Sequence, residues 1–291
     1  MRSFEDYNPL AVCCCYACIV VIAMFTMQPV LLVLSLLGGG LYDCVRVKTG
    51  TRPPWFYLGI LAACALLNPL FNHTGTTVLV MLNDNPITLE ALAYGIVLGL
   101  MLIGMLWWFR SFTSIMTSDR LLYVFGSASP KLALILSMVF RYIPLYRRQA
   151  RRVDQAQKGI GLYKEDNLPD RLRGAVRCFS VMVTWALENG ITTADSMTAR
   201  GYGCGRRSRF SPFRFRRSDA LLTAVSLLLT AVTACGMACG RLSFQFYPAL
   251  DSPSVLVGGI PFYISYGILC LIPAFLEISE ALKWKYLQSG I

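Results

Sequence analysis

Apolar residues fall into six long blocks separated by polar breaks. Leu10 to Met27 is almost wholly apolar and about long enough to cross the ~30 Å hydrocarbon core of a bilayer. Gln28-Pro29 turns the chain, and Val30 to Val45 returns, with Gly38-Gly39-Gly40 permitting close helix approach and Asp43 near its end. Trp55 to Leu70, Leu89 to Phe109, Ala220 to Cys239 and Gly258 to Leu282 are the other four. Lys131 to Ile143, bounded by Pro130 and Pro144, is apolar but too short to span, so it predicts a helix at the inner interface or under the bundle. The pattern predicts an all-α integral membrane protein of about six transmembrane helices.

Between the fourth and fifth spans the period changes to that of amphipathic helices. Over Leu145 to Ile160, apolar positions recur at Ala150, Val153, Ala156 or Gln157, and Ile160, while Arg147, Arg148, Arg151 and Arg152 cover other faces. Gly159 and Gly161 tolerate a left-handed turn and end that helix. After the linker Lys164 to Leu168, Pro169 suits a first helical turn. Leu172, Val176, Phe179, Val183 and Ala186 or Leu187 then form a stripe expected to pack on another helix. Continued to Arg200, this helix is about 45 Å long; Gly190 weakens it by about 1 kcal/mol and is the place for a kink. Gly201, Gly203 and Gly205 stop it. Three regions follow: 1–109, transmembrane helices; 110–217, an inner-interface helix and two long amphipathic helices; 218–291, transmembrane helices.

Composition agrees with the membrane reading: 55% of the 291 residues are hydrophobic, 15% are charged, and mean hydropathy is +0.54. Charge then supplies orientation. The window Arg110 to Arg217 holds 20 of the 27 Lys and Arg against 7 of the 16 acids, so it is +13 and the remainder −2. A basic window between spans is more simply a cytoplasmic loop than a nucleic-acid site. Arg46, Lys48 and Arg52 mark a second inner loop, whereas Phe71 to Thr88 has no Lys or Arg and is expected outside, its TTVLVML reading as a short extended piece. Arg241 to Val257, with one cation, is the other outer linker, and Lys283 and Lys285 put the C-terminus inside. Both termini are therefore cytoplasmic. The start, MRSFEDYNPL, has no cleavage pattern and reads as leading into a retained first span.

Metal and redox chemistry find little support. Most of the 11 cysteines sit within apolar runs, and Cys15 and Cys18 form a CxxC without a second pair. His73 is the only histidine and reads as a loop residue. A membrane-embedded enzyme needs clustered carboxylates or a nucleophile beside a base, but Asp154, Glu165, Asp166 and Asp170 are interleaved with cations. A stand-alone channel or secondary transporter needs an intramembrane charge relay, and the spans carry almost none. Arg200 has two readings. It caps a helix C-terminus, where a cation gains roughly 0.3–1 kcal/mol; or its planar fork, between Ala199 and Gly201, enters a narrow groove and pairs with a carboxylate.

SPKLALILSMVFRYIPLYRRQARRVDQAQKGIGL (residues 129–162) and ENGITTADSMTARGYG (residues 188–203) resemble the transmembrane T component of energy-coupling factor (ECF) transporters, the CbiQ/EcfT family. Arg141, Ile143 and Pro144 match its R-x-I-P step, and Ala199, Arg200 and Gly201 match its Ala-Arg-Gly motif. The first motif departs: over Ala156, Gln157, Lys158, Gly159, Ile160 and Gly161, an isoleucine stands where the family usually has arginine, with Lys158 two positions earlier. The resemblance implies a non-catalytic coupling subunit in the cell membrane. Two ABC-type ATPases, which bind ATP with Mg, each grip a helix end, and their closure reorients a separate substrate-binding S component carrying a vitamin or metal. The chain itself binds no cofactor and has no GxxxxGK[ST] phosphate loop. Its implied partners are those ATPases, the S component and membrane lipid, with no nucleic acid.

Overall fold

The computed structural model describes residues 4–46, 54–72, 75–82, 85–161, 168–205, 213–247 and 258–289. His73, the Lys48 and Arg52 loop, the linker residues 164–167 and the stretch 248–257 lie outside the described residues. Two units emerge, 1–117 with 213–291, and 118–212.

The first unit holds α1 (Pro9–Phe25), α2 (Pro29–Arg46), α3 (Pro54–Phe71), β1 (Val78–Leu82), β2 (Asn85–Thr88) and α4 (Leu89–Ile115). After the second unit it closes with the last two helices, which carry their own labels below. The Asn8 side chain accepts the Leu10 N–H at 3.0 Å and Pro9 fills the first turn, so α1 starts where its first free donors are met. Thr88 likewise caps α4. The strands pair antiparallel, Val78 with Thr88 and Leu82 with Asn85, with an irregularity between Val78 and Val80. The expected extended piece is thus one arm of a hairpin. Glu90 anchors it, accepting bonds from the Thr76 and Thr77 hydroxyls at 3.0 and 2.8 Å.

Small residues set the packing distances here. A Cβ on Gly95 would stand 2.7 Å from the Cys64 carbonyl oxygen, and one on Gly38 would stand 2.7 Å from the Cys270 Cβ. The helices touch backbone to backbone at Gly95 and backbone to side chain at Gly38, the close approach that holds helices together in lipid. Trp108, fully buried, donates its indole N–H to Ser35 at 2.9 Å, joining α4 to α2. Phe4, Tyr16, Tyr42 and Tyr266 fill the space around it.

The second unit holds α5 (Ser118–Ala128), α6 (Pro130–Gly159) and α7 (Leu168–Ala199). The first unit then resumes with α8 (Arg217–Ala238) and α9 (Ile260–Ser289). Asp219 ties α8 to α1, accepting the Asn8 N–H at 3.2 Å and the Arg216 N–H at 2.8 Å.

The chain is an all-α membrane protein apart from its hairpin. Among the described residues α4, α8 and α9 are long and apolar enough to span, while α1, α2 and α3 contribute apolar stretches of at most 17 residues. Those reach roughly 26 Å, a shortfall that local thinning of the bilayer accommodates. The first residues beyond α8 are not a plain loop: Leu242 and Phe246 are buried, and Phe246 and Tyr247 pack on Tyr94 with centroids 5.5 and 5.6 Å away.

The second unit corrects four expectations. The helices expected on either side of Pro144 are one helix, α6. Proline removes only the bond to the carbonyl of Phe140, and the turns on both sides outweigh it. α7 likewise runs unbroken through Gly190, where a Cβ would meet nothing within 4 Å, so no contact forces a kink. Ile160, placed in the apolar stripe by spacing, is 76% exposed, because the helix ends one residue earlier. The face of α7 turned to α6 is not the apolar stripe: Gly174 is buried, Cys178 Sγ lies 3.8 Å from the Ala150 carbonyl, the Trp185 ring meets Tyr146, and Thr193 meets Tyr142 at 2.8 Å. The stripe of Leu172, Val176, Phe179 and Leu187 stays 64–70% exposed.

Candidate functional site

The two glycine-containing ends share one backbone geometry. At the end of α7 the Gly201 N–H donates to the Thr198 carbonyl at 2.9 Å and the Tyr202 N–H to Met197 at 3.0 Å, with Gly201 at φ +78°. Those are the paired bonds of a Schellman stop, which needs a residue free to adopt positive φ. At the end of α6 the Gly161 N–H donates to the Lys158 carbonyl at 3.0 Å, with φ +74°. Ile160 and Arg200 therefore occupy the same position, the last residue before the turning glycine.

The stop alone is not a function, since α8 ends the same way: Gly240, at φ +70°, donates to Met237 at 3.0 Å, and Arg241 donates to Gly236 at 3.1 Å. What distinguishes the ends is the residue presented before the glycine. Arg200 is exposed and, among the described residues, has no ion-pair partner. Its backbone N–H donates to Ser196 at 3.2 Å, so the guanidinium is placed by a satisfied turn. Ala199 and Gly201 beside it are exposed and small. At the other end Ile160 presents an apolar side chain, and Lys158 is held at 2.9 Å by Asp154 one turn back. That exposed pair is worth roughly 0.3–0.5 kcal/mol. Ala156 and Gly159 are exposed, whereas Gln157 is buried.

How the two ends are carried was not legible as a motif. Tyr142 and Tyr146, one turn apart on α6, stack with centroids 5.5 Å apart, and Tyr146 meets the edge of Trp185 of α7 at 5.3 Å. With Tyr142 beside Thr193 and Ala150 beside Cys178, moving forward on α6 is moving backward on α7. The ends therefore point in opposite directions along the pair. From the Tyr142–Thr193 contact, α6 continues for about 27 Å to Ile160 and α7 for about 10 Å to Arg200. The signal for this junction was a tyrosine pair at helical spacing. Short α5, of mixed polarity, was also missed.

Arginines dominate the remaining surface of α6 and α7, with Arg147, Arg148, Arg151, Arg152, Arg173 and Arg177 all exposed. Among the described residues no nucleophile–base pair accompanies them. A family model described as cobalt transport protein, CbiQ, matches residues 4–212. No curated protein matches the chain.

Proposed function

The chain belongs to the CbiQ family of cobalt transport proteins and is a component of a membrane transport system, and we propose that it is the transmembrane coupling (T) subunit of an ECF-type importer. In this reading two ABC-type ATPases, which bind ATP with Mg, grip the ends of α6 and α7 from the cytosol. Arg200, at the end of α7, enters a groove of one ATPase and pairs with a carboxylate there. The end of α6, with Ile160 in the equivalent place and Lys158 nearby, meets the second. Closure of the ATPases moves the two helices, and the exposed stripe of Leu172, Val176, Phe179 and Leu187 passes that motion to a substrate-binding S component. The S component carries the cargo, a vitamin or a metal ion, and the chain itself hydrolyses nothing. Both termini and the basic unit face the cytosol across the plasma membrane, as the charge distribution supports.

The observation that carries this reading is the exposed Arg200, without an ion-pair partner among the described residues, at the end of a 32-residue helix whose apolar face the other helices of its own unit leave open. A helix cap needs the first of these features but not the second. Arg200→Glu tests it: recovery of the ATPases with the chain weakens and ATP-dependent uptake is lost, while the amount of chain in the membrane is unchanged. Unaltered assembly and uptake would remove Arg200 from the mechanism.

A further inference from the structure

Two of the helices long and apolar enough to span, α8 and α9, leave a hollow of about 380 Å³ between them. Ser218, Leu221 and Val225 of α8 line it with Ile268, Ile272 and Phe275 of α9. Leu221, Ile268 and Phe275 are 48–69% exposed, so the hollow opens on the outside of the bundle, where lipid lies. At 1.5 Å per residue its lining covers roughly 10–12 Å of each helix, about a third of the ~30 Å hydrocarbon core. The helices run antiparallel, Gly236 lying against Phe262, so Ser218 and Leu276 mark the same end of the hollow.

That end is charged and the other is not. Arg217 stands one turn before Leu221 on the same side of α8. Lys283, two turns beyond Leu276 and on the side of α9 that faces the hollow, lines a further recess with Tyr286. Neither cation has an ion-pair partner among the described residues. Arg214, Arg216, Arg217, Lys283 and Lys285 are all exposed here, against Asp6 as the one exposed acid among the described residues of this end. Asp219 is buried and accepts the Asn8 and Arg216 N–H groups, and Glu277 and Glu280 fall on other sides of α9. At the opposite end the hollow gives way to Leu228 and Ile264, exposed and aliphatic.

We propose that the hollow holds one anionic phospholipid, with an acyl chain between α8 and α9, its phosphate on Arg217 and the N-terminus of α8, and Lys283 on the headgroup side. A partner's helix, about 10–12 Å across with its side chains, is too wide to enter a slot of this volume; an acyl chain is not. A neutral lipid fills the apolar part equally well, and the cations at one end select the anionic headgroup. The site goes beyond the coupling reading and needs neither ATPase nor S component.

The test places a diazirine-bearing residue at Val225 of the full-length chain, or at Leu227, which is exposed on the other side of α8. Each is reconstituted in vesicles of equal parts phosphatidylglycerol and phosphatidylcholine with the same acyl chains. Adducts at Val225 are expected to favour phosphatidylglycerol several-fold over those at Leu227, which sample bulk lipid. Arg217→Gln with Lys283→Gln should bring the Val225 ratio down to the Leu227 ratio. About 1 M salt, which shortens screening to roughly 3 Å, should lower it in the unsubstituted chain, where misfolding of a variant cannot imitate the effect. Equal ratios at the two positions overturn the proposal, because the hollow then holds only bulk lipid. A preference that survives both salt and the double variant overturns it too, as do adducts at Val225 to protein alone in native membranes. Failure of the coupling reading appears separately, in the Arg200→Glu assembly measurement.

Discussion

Ile160 and Arg200 stand at equivalent positions, each followed by a positive-φ glycine whose N–H is bonded to the carbonyl three residues back. The backbone offers the same platform twice, and only one carries a charged fork. Ile160→Arg is therefore expected to strengthen the grip of the ATPases, since a hydrogen bond to a charged group contributes about 1.5–3 kcal/mol. Dissociation of the solubilised complex should slow by about tenfold or more. Arg200→Ile should speed it by a similar factor. If Ile160→Arg leaves the rate unchanged, the two ends are gripped by different chemistry and the departure at Ile160 is not a defect.

Gly201 and Gly190 predict opposite outcomes for one substitution. Gly201 lies at φ +78°, where an alanine Cβ costs about 1–2 kcal/mol, so Gly201→Ala should fray the turn that carries Arg200. Gly190 sits within α7 with open space around it, so Gly190→Ala should stabilise the helix by about 1 kcal/mol. Thermal unfolding in detergent separates the signs. ATPase recovery should drop only for Gly201→Ala; a matching drop for Gly190→Ala would mean that α7 needs its flexibility there.

The helix ends were legible because glycine at a helix terminus has a local cause, the positive φ, that spacing alone reveals. Arg200 and Gly201 fell where the sequence placed them for that reason. Which side of α7 packs inside the chain was not legible. Hydrophobic periodicity finds the side that avoids water, and on α7 that side, from Leu172 to Leu187, stays exposed while Gly174, Cys178 and Thr193 face α6. Periodicity identifies an apolar surface without identifying whose surface it meets. Pro144 misled for a related reason: the cost of a lost backbone bond is local, and the continuity of a 30-residue helix is not.

Asp43 of α2 and Arg110 of α4 lie 3.6 Å apart, with Asp43 almost wholly buried. Removing one charge strands the other in a poorly hydrated place, so Asp43→Asn and Arg110→Met are each expected to destabilise the bundle by on the order of 3 kcal/mol. Replacing both, Asp43→Leu with Arg110→Met, removes the stranded charge and should recover most of the loss. A double-mutant cycle on unfolding in detergent measures this. Additive losses would show that the two residues act independently despite their distance.

Coupling by α6 and α7 requires that they move relative to each other, and Cys178 offers a way to stop them. Its Sγ lies 3.8 Å from the Ala150 carbonyl across the helix pair. Ala150→Cys brings a second thiol to that junction, within reach of a short bifunctional thiol reagent. The junction lies away from both glycine ends, so linking it should leave ATPase recovery intact while uptake falls in proportion to the linked fraction. The unlinked variant serves as the control, because alanine to cysteine changes little volume. Full uptake through a fully linked pair would mean that α6 and α7 travel as one body, and the motion delivered to the S component must then arise elsewhere in the chain.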